Sequence, residues 1–260
     1  MKSKVGLRSK SARICDLLAA KALEMSQVLS TQPSKSHPGQ RSVIYVDPDV
    51  QAEILIERAG QVLQHTGLEQ KEIAHGFLLY DLLSEHLDTL PKDSRVSVLE
   101  IGTARGFSLV ALVKALHDKQ MNGSVISLDI VPHHTGSYSL RGFPPNQLFA
   151  RNEILEPWKK LLEGQATFLC GSSQTALLLL QQQRFSFAFV DEHHTYRNTS
   201  RDLNFLEKCQ TRGDVIVVDD YGSKFPGVVK AVNEFVNLYN YELQLSQVTA
   251  ERNLAILKRI

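Results

Sequence analysis

Several features that define other classes of protein are scarce or missing in this sequence of 260 residues. Its three cysteines, Cys15, Cys170 and Cys209, stand far apart without a CxxC pair, which argues against a disulfide framework and fits a reducing compartment such as the cytoplasm. No run approaches about 18 apolar residues, so no transmembrane helix is predicted. The 29 basic residues nearly balance the 28 acidic ones, and the resulting net charge gives no general attraction to nucleic acid or to an anionic membrane.

The G-x-G-x-x-G pattern of dinucleotide sites is also missing. In its place "VSVLEIGTARGFSLVALVKAL", residues 96–116, runs apolar, breaks at Gly102 and Gly106, and resumes with helical spacing. This pattern predicts a strand, a turn whose glycines let a ligand approach the backbone, and a helix. Glu100, just before the turn, disfavours a pyrophosphate and favours a cationic or hydroxyl-rich ligand such as S-adenosylmethionine. A nicotinamide oxidoreductase is therefore the disfavoured alternative.

The rest of the chain predicts an α/β fold with an N-terminal extension. Residues 1–42 combine a basic stretch, an amphipathic helix pattern and a linker rich in Pro, Ser and Gly, whereas residues 43–260 are predicted to form one domain that begins with two helices. Alternating β-like and helical runs predict a mostly parallel sheet with helices on both faces. The last two runs have no helix between them and predict an antiparallel hairpin. Strands are predicted at 124–129, 166–170, 185–191, 213–220, 241–248 and 252–260, and helices at 152–163, 173–183, 198–211 and 227–240.

A long loop interrupts this alternation at residues 131–149, "VPHHTGSYSLRGFPPNQLF". Loops of this length in compact domains are often lids or binding loops, and this one follows the carboxyl end of a strand, where ligands bind in open α/β sheets. We predict that it faces the substrate, the alternative being a surface excursion without function. His133 and His134 are expected to be substrate contacts or solvated loop residues.

The strand ends also carry residues suited to the cofactor. Asp129 closes the second strand and can accept hydrogen bonds from two ribose hydroxyls. "CGSSQ", residues 170–174, offers small polar groups to an adenine edge, although Ser172 or Ser173 can equally cap the next helix. The predicted cofactor-binding residues are Glu100, Gly102, Thr103, Gly106, Asp129, Ile130, Ser172, Ser173 and Asp191.

Three carboxylates, Asp191, Asp219 and Asp220, end two further predicted strands. Converging acids repel one another unless a cation lies between them, and magnesium prefers oxygen ligands. We therefore predict a magnesium site formed by these three residues. The alternative is that Asp219 caps its strand and Asp220 opens a turn, with no metal.

Two histidines, His193 and His194, follow Asp191 and are the candidates for a catalytic base. An imidazole that titrates near neutrality can take a proton from a hydroxyl whose acidity a metal has raised. The alternative for either is a helix-entry residue bonded to the backbone. Tyr196 and Tyr221 are expected to pack around the site without reacting.

Taken together, "VLEIGTARG", "VISLDI", "FLCGSS", "FAFVDEHHTY", "GDVIVVDDY" and "FPGVVKAV" resemble the successive motifs of class I S-adenosylmethionine-dependent methyltransferases. The sequence is most similar to the branch of small-molecule and sugar O-methyltransferases with Asp-Gly-Asp-His-Ser-Tyr-like and Asp-Asp-Tyr motifs. The resemblance implies a seven-stranded Rossmann-like sheet whose last strand is antiparallel. It also implies the cofactor roles of Glu100, Gly102, Gly106 and Asp129, and magnesium held by acids at the positions of Asp191, Asp219 and Asp220. His194 stands where this branch carries its histidine, whereas Glu192 and His193 depart from the Gly-Asp of the motif.

We therefore expect methyl transfer from S-adenosylmethionine to a hydroxyl oxygen of a small molecule or sugar. The resemblance supports a polar acceptor, as does the polar long loop. A cofactor-binding fold without turnover, acting as an interaction module through residues 1–42, is the alternative. A homodimer formed through the N-terminal helices is a further expectation, based on their apolar stripes alone.

Overall fold

A computed structural model of the chain describes residues 70–139, 144, 146–248 and 252–260. The predicted N-terminal extension, the linker and the first of the two predicted domain helices lie outside these residues. The predicted domain boundary at residue 42 also lies outside them.

A seven-stranded sheet forms the centre of the described domain, in the order β5-β2-β1-β6-β7-β9-β8. Within this sheet β5, β2, β1, β6 and β7 pair in parallel, and β9 runs antiparallel to both of its neighbours. This confirms the predicted Rossmann-like sheet with a terminal antiparallel hairpin. The strands of this sheet are β1 (Val96–Ile101), β2 (Gly123–Asp129), β5 (Ala166–Cys170), β6 (Phe187–Val190), β7 (Val215–Val218), β8 (Tyr241–Gln247) and β9 (Asn253–Arg259).

Helices cover both faces of the sheet. On one face, α1 (Gln70–Asp88) and α2 (Phe107–Asp118) pack with Val98 and other strand residues into one apolar cluster. On the other face, α6 (Tyr196–Cys209) and α7 (Pro226–Leu238) pack with Leu99 and its neighbours into a second cluster. Successive residues of a strand point to opposite faces. The apolar strands are therefore buried on both sides, and polar groups collect at their ends.

Two predicted helices are shorter than expected. Residues 151–162 form α3 (Arg151–Leu155), a 3₁₀ turn (Glu156–Trp158) and α4 (Lys159–Leu162), because Pro157 lacks the N–H that a continuous helix would use. The second consists of α5 (Ser173–Ala176) and a 3₁₀ turn (Leu177–Leu180). Leu177 and Leu180 are buried while the two leucines between them are exposed, which is the three-residue period of a 3₁₀ turn.

The long loop contains a two-stranded antiparallel ribbon, β3 (Tyr138–Ser139) and β4 (Leu148–Phe149). His133, in the same loop, stacks on the ring of Phe168 with 3.8 Å between the ring centroids. The first histidine of the predicted loop pair therefore packs against the edge of the sheet.

Candidate active site

The polar side chains predicted from the sequence gather at the carboxyl-end edge of the parallel strands. At the end of β1, Gly102 has a φ of 99°, and a Cβ built on it would lie 2.1 Å from the carbonyl oxygen of Asp191. Gly106 precedes α2 with a φ of 89°. Only glycine adopts this turn without strain. The absence of a side chain at residue 102 also lets the ends of β1 and β6 meet.

Glu100 lies beneath the turn, not on its surface. Its side chain is fully buried and accepts hydrogen bonds from the hydroxyls of Ser108, at 2.5 Å, and Ser127. Thr103, one of the predicted cofactor residues, is also buried, with its hydroxyl 2.5 Å from that of Ser127. Burial raises the pKa of Glu100 to about 7, although both hydroxyl bonds act in the opposite direction. Glu100 therefore supports the turn from below.

Asp129 has partners on both oxygens. Its Oδ2 accepts a 2.6 Å bond from the Ala104 N–H and lies 3.0 Å from a terminal nitrogen of Arg151, while Oδ1 accepts a 2.7 Å bond from the Val131 N–H. Ile130 is 53% exposed beside it. An acid held rigidly next to an exposed apolar side chain can bind a hydroxylated ligand that also carries an apolar ring.

Beyond β5, the hydroxyl of Ser172 lies 3.1 Å from that of Thr175, and Ser173 is buried next to Asp202 of α6. Burial raises the pKa of Asp202 to about 7, and the charge of Glu192 adds to this effect. Among the described residues, neither carboxylate oxygen of Glu192 accepts a hydrogen bond. This corner of the site therefore has an excess of hydrogen-bond acceptors.

A compact group of Asp191, His194 and Asp220 lies at the ends of β6 and β7. One ligand atom from each can be chosen so that all lie within 4.8 Å of one another. The His194 Nδ1 is 3.2 Å from Asp220 Oδ2 and 4.0 Å from Asp191 Oδ1. His194 and Asp220 have positive φ angles of 32° and 56°, a strained conformation for residues with side chains.

Asp219 lies outside this group because Arg252 occupies its carboxylate. The guanidinium binds both oxygens of Asp219, with Nε 2.8 Å from Oδ1, and also approaches Asp220 Oδ1 at 3.4 Å. The structure thus brings Asp191 and Asp220 together with His194, whereas Asp219, the third predicted magnesium ligand, pairs with Arg252. Burial and the charge of Asp219 raise the pKa of Asp191 and of Asp220, and Arg252 opposes both shifts.

The two histidines differ in their surroundings. His194 packs on the ring of Phe225, at 4.6 Å between centroids, and turns its Nδ1 toward the acids. His193 is more exposed, and its Nδ1 lies 3.1 Å from Glu192. Its φ of 51° marks the same strained turn. His194 therefore lies with Asp191 and Asp220, whereas His193 lies beside Glu192.

Tyr196 and Tyr221 make packing contacts. The Tyr196 hydroxyl donates to Glu234 at 2.6 Å, and the Tyr221 hydroxyl donates to Asn233 at 3.0 Å. Both partners lie on α7, so these tyrosines attach α7 to the edge of the site.

Sequence reasoning missed two arginines, Arg151 and Arg252, that pair with Asp129 and Asp219. Arg151 opens a short helix after the long loop, and Arg252 immediately precedes the last strand of the hairpin. Neither stands in a pattern that marks a site. The only signal was the need of each buried acid for a positive partner.

No helix among the described residues is long and apolar enough to cross a membrane. Residues 99–221 match a family model described as a methyltransferase domain. No match to this chain was found among curated proteins.

Solved methyltransferase structures resemble the chain at low sequence identity. An O-methyltransferase from Bacillus cereus in complex with S-adenosylhomocysteine has a TM-score of 0.51 and 14% identity, covering 94% of this chain and 100% of its own. The calicheamicin methyltransferase CalS11 has a TM-score of 0.55 and 13% identity, covering 99% and 94%. The O-methyltransferase TomG from Streptomyces achromogenes has a TM-score of 0.50 and 14% identity, covering 91% and 96%. The described part of the chain therefore has the fold of the class I S-adenosylmethionine-dependent methyltransferases.

Proposed function

We propose that this protein transfers a methyl group from S-adenosylmethionine to a hydroxyl oxygen of a small molecule or sugar. One observation carries the proposal: the glycine turn, Asp129 and the Asp191–His194–Asp220 group lie along one edge of a methyltransferase sheet. Sulfonium is already an activated methyl donor, so positioning donor and acceptor accounts for most of the catalysis.

The residues at the cofactor end fit S-adenosylmethionine. Asp129 would accept from the ribose hydroxyls, Ile130 would cover the adenine, and Ser172 and Ser173 would contact its edge. The Glu192 carboxylate accepts no hydrogen bond among the described residues, although His193 Nδ1 lies 3.1 Å from Oε1. Its Oε2 therefore suits a ligand that brings an N–H donor and a positive charge. Glu100 would act through the turn, because Ser108 and Ser127 cover its carboxylate.

His194 would be the base that removes the acceptor proton. Asp220 Oδ2 beside Nδ1 favours the tautomer in which Nδ1–H donates to the carboxylate. The lone pair of Nε2 is then available for the acceptor hydroxyl. Asp220 would orient the imidazole ring of His194 and stabilise its charged form, as a carboxylate does for the catalytic base of other enzymes. His193, turned toward Glu192, would not take part.

Magnesium is the second part of the proposal. Asp191 and Asp220 would hold the ion, since Mg²⁺ often binds through one or two carboxylates and keeps several waters. When bound, it would lower the pKa of the acceptor hydroxyl. Asp219, predicted as a third ligand, would instead hold Arg252, whose charge near Asp220 would weaken the affinity for the ion.

The acceptor is proposed to be polar. CalS11 is described as a TDP-rhamnose 3′-O-methyltransferase. The long loop of this chain contributes the polar residues His134, Ser137 and Tyr138, and Tyr138 contacts Arg151, the partner of Asp129. A cytoplasmic location remains part of the proposal, on the basis of the three dispersed cysteines.

The test is methyl transfer from labelled S-adenosylmethionine to a panel of sugars, nucleotide sugars and phenols, using the wild type, His194→Asn and the matched control His193→Asn. We expect at least one acceptor to be methylated, a fall of about 100-fold or more in kcat for His194→Asn, and little change for His193→Asn. An unchanged kcat in His194→Asn would refute the proposed role of His194 as the catalytic base. Binding of S-adenosylhomocysteine without transfer to any hydroxyl acceptor would favour the interaction-module alternative.

A further inference from the structure

Arg151, the first residue of α3, is almost completely buried, with 1% of its surface exposed. Its Nε donates to the Ala104 carbonyl at 2.5 Å, and its two terminal nitrogens donate to the Val131 carbonyl at 3.1 Å and the Tyr138 hydroxyl at 2.8 Å. Arg151 also forms an ion pair with Asp129. A buried guanidinium is tolerated only when its donors are satisfied in this way.

This pair fixes the centre of the glycine turn. Ala104 has a φ of 45°, a conformation that costs a residue with a side chain free energy. Its N–H donates to Asp129 and its carbonyl accepts from Arg151. Both polar backbone groups of Ala104 are therefore held by one ion pair, which keeps the turn in the shape that would receive the cofactor.

The same guanidinium holds the long loop. It binds the carbonyl of Val131, where the loop starts, and the hydroxyl of Tyr138 in β3. A second link runs beside it, because Arg105 of the turn donates to the Ser139 carbonyl at 3.2 Å. The loop proposed to face the acceptor and the turn proposed to hold the cofactor thus share Arg151.

We infer that Arg151 is a positioning residue for the cofactor, and that it couples the long loop to the cofactor turn through Tyr138. The inference rests on the proposed function. Arg151 holds Asp129 and Ala104 where the ribose and the methionine end need them. Any change in the loop that shifts the Tyr138 hydroxyl changes the anchoring of Arg151, and with it the affinity for the cofactor.

Calorimetric titration with S-adenosylhomocysteine tests this inference on the wild type, Arg151→Met, Arg151→Lys, Tyr138→Phe and the double variant Tyr138→Phe with Arg151→Met. Arg184→Met is the control, since Arg184 also pairs with a buried acid, Asp214, but at the amino-terminal end of β7. Circular dichroism and thermal unfolding show which variants are folded.

We expect a rise in Kd of about 10- to 100-fold for Arg151→Met, the range expected when bonds to a charged group are lost. Arg151→Lys keeps the charge and should lose less. Tyr138→Phe removes one hydroxyl and should raise Kd by about 3- to 10-fold. The double variant should bind no more weakly than Arg151→Met, because Tyr138 acts through Arg151. Arg184→Met should bind as the wild type does.

Folded Arg151 variants that bind like the wild type would overturn the positioning role. If the rise in Kd of the double variant equals the product of the rises in the two single variants, the coupling between Tyr138 and Arg151 would be overturned. If Arg151→Met does not fold, an unchanged Kd in both Arg151→Lys and Tyr138→Phe would overturn the inference by itself. A wild type that does not bind S-adenosylhomocysteine would overturn the proposed function, and this inference with it.

Discussion

The two halves of the candidate site are built on the same device, a buried aspartate paired with an arginine, but they use it differently. In the cofactor half, Arg151 pairs with Asp129 and also binds two backbone carbonyls. In the acid half, Arg252 pairs with Asp219, approaches Asp220 and remains a quarter exposed. The first arginine fixes backbone, whereas the second neutralises a group of acids. The cofactor half is therefore a scaffold, and the acid half is where charge is concentrated.

Backbone strain is also distributed unequally between the two halves. At the cofactor half, Gly102 and Gly106 take positive φ angles, which cost glycine little, and Ala104 between them takes a φ of 45°, which does cost free energy. At the acid half the positive φ angles belong to His193, His194 and Asp220. Strain of this kind persists only where the surrounding structure holds the residue in place. Strain on residues with side chains is therefore more frequent at the acid half, and its one case in the turn, Ala104, is held by the Arg151–Asp129 pair.

The largest expected effect would break the scaffold half. Gly102→Ala places a Cβ against the Asp191 carbonyl and forces alanine to a φ of 99°, so we expect a loss of about 4 kcal/mol in unfolding free energy and no S-adenosylhomocysteine binding. Gly164→Ala is the control, because its φ is also positive but no atom of the described residues lies within 4 Å of a Cβ built there. Urea unfolding and calorimetry measure both. Equal losses in the two variants would contradict the close approach of β1 and β6.

The second largest expected effect concerns the ion pair between Arg252 and Asp219 in the acid half. Arg252→Met leaves the buried Asp219 without its cation, and we expect a loss of about 3 kcal/mol in unfolding free energy. Arg184→Met is the control, since Asp214 keeps hydrogen bonds from the N–H and hydroxyl of Thr211. Urea unfolding at neutral pH compares them. An unfolding free energy in Arg252→Met equal to that of the wild type would show that Asp219 does not depend on Arg252.

A smaller effect concerns Asp202, whose pKa is raised to about 7 from 3.8. Between these values the folded state holds a proton that the unfolded chain has lost, so the stability due to this group falls as pH rises and stays low above pH 7. Asp202→Asn should remove this penalty and be about 2 kcal/mol more stable than the wild type at pH 8. At pH 4 the two should be similar.

Urea unfolding across this range measures the effect, with Asp88→Asn on the exposed surface as control. The pKa of Glu100 is also raised to about 7, so part of the dependence of unfolding free energy on pH will remain in every variant. An Asp202→Asn curve parallel to the wild type would contradict the raised pKa.

The smallest effect concerns magnesium. In the presence of S-adenosylhomocysteine, Asp191→Asn should weaken calorimetric Mg²⁺ binding by about 10-fold, because one of two proposed ligands is lost. Asp88→Asn should leave the affinity unchanged. Equal affinity in the wild type and Asp191→Asn would remove Asp191 from the metal proposal.

The sequence predicted the sheet well because its strands are short apolar runs bounded by turns. Ala166–Cys170 matched to the residue, and the hairpin was found because no helix pattern separates its strands. Helix lengths were predicted less well, since Pro157 and the pattern of the Leu177–Leu180 turn decide them locally. The meeting of strand ends follows from parallel topology, so the general place of the site was predictable.

Side-chain pairing at the site was not predictable in the same way. The partners of Asp129 and Asp219 come from 22 and 33 residues further along the chain, positions 151 and 252, and no local pattern marks them. The depth of Glu100 was also hidden, because it depends on hydroxyls from α2 and β2. Such contacts are set by packing, whereas the sequence shows only which residue types end each strand.

The central claim is that this edge of the sheet binds S-adenosylmethionine, and calorimetric titration of the wild-type protein with S-adenosylhomocysteine tests it most directly. The account predicts one site per chain with a micromolar Kd, lost in Gly102→Ala and retained in Gly164→Ala. Absence of binding in the folded wild type, or tighter binding of a nicotinamide dinucleotide, would contradict it.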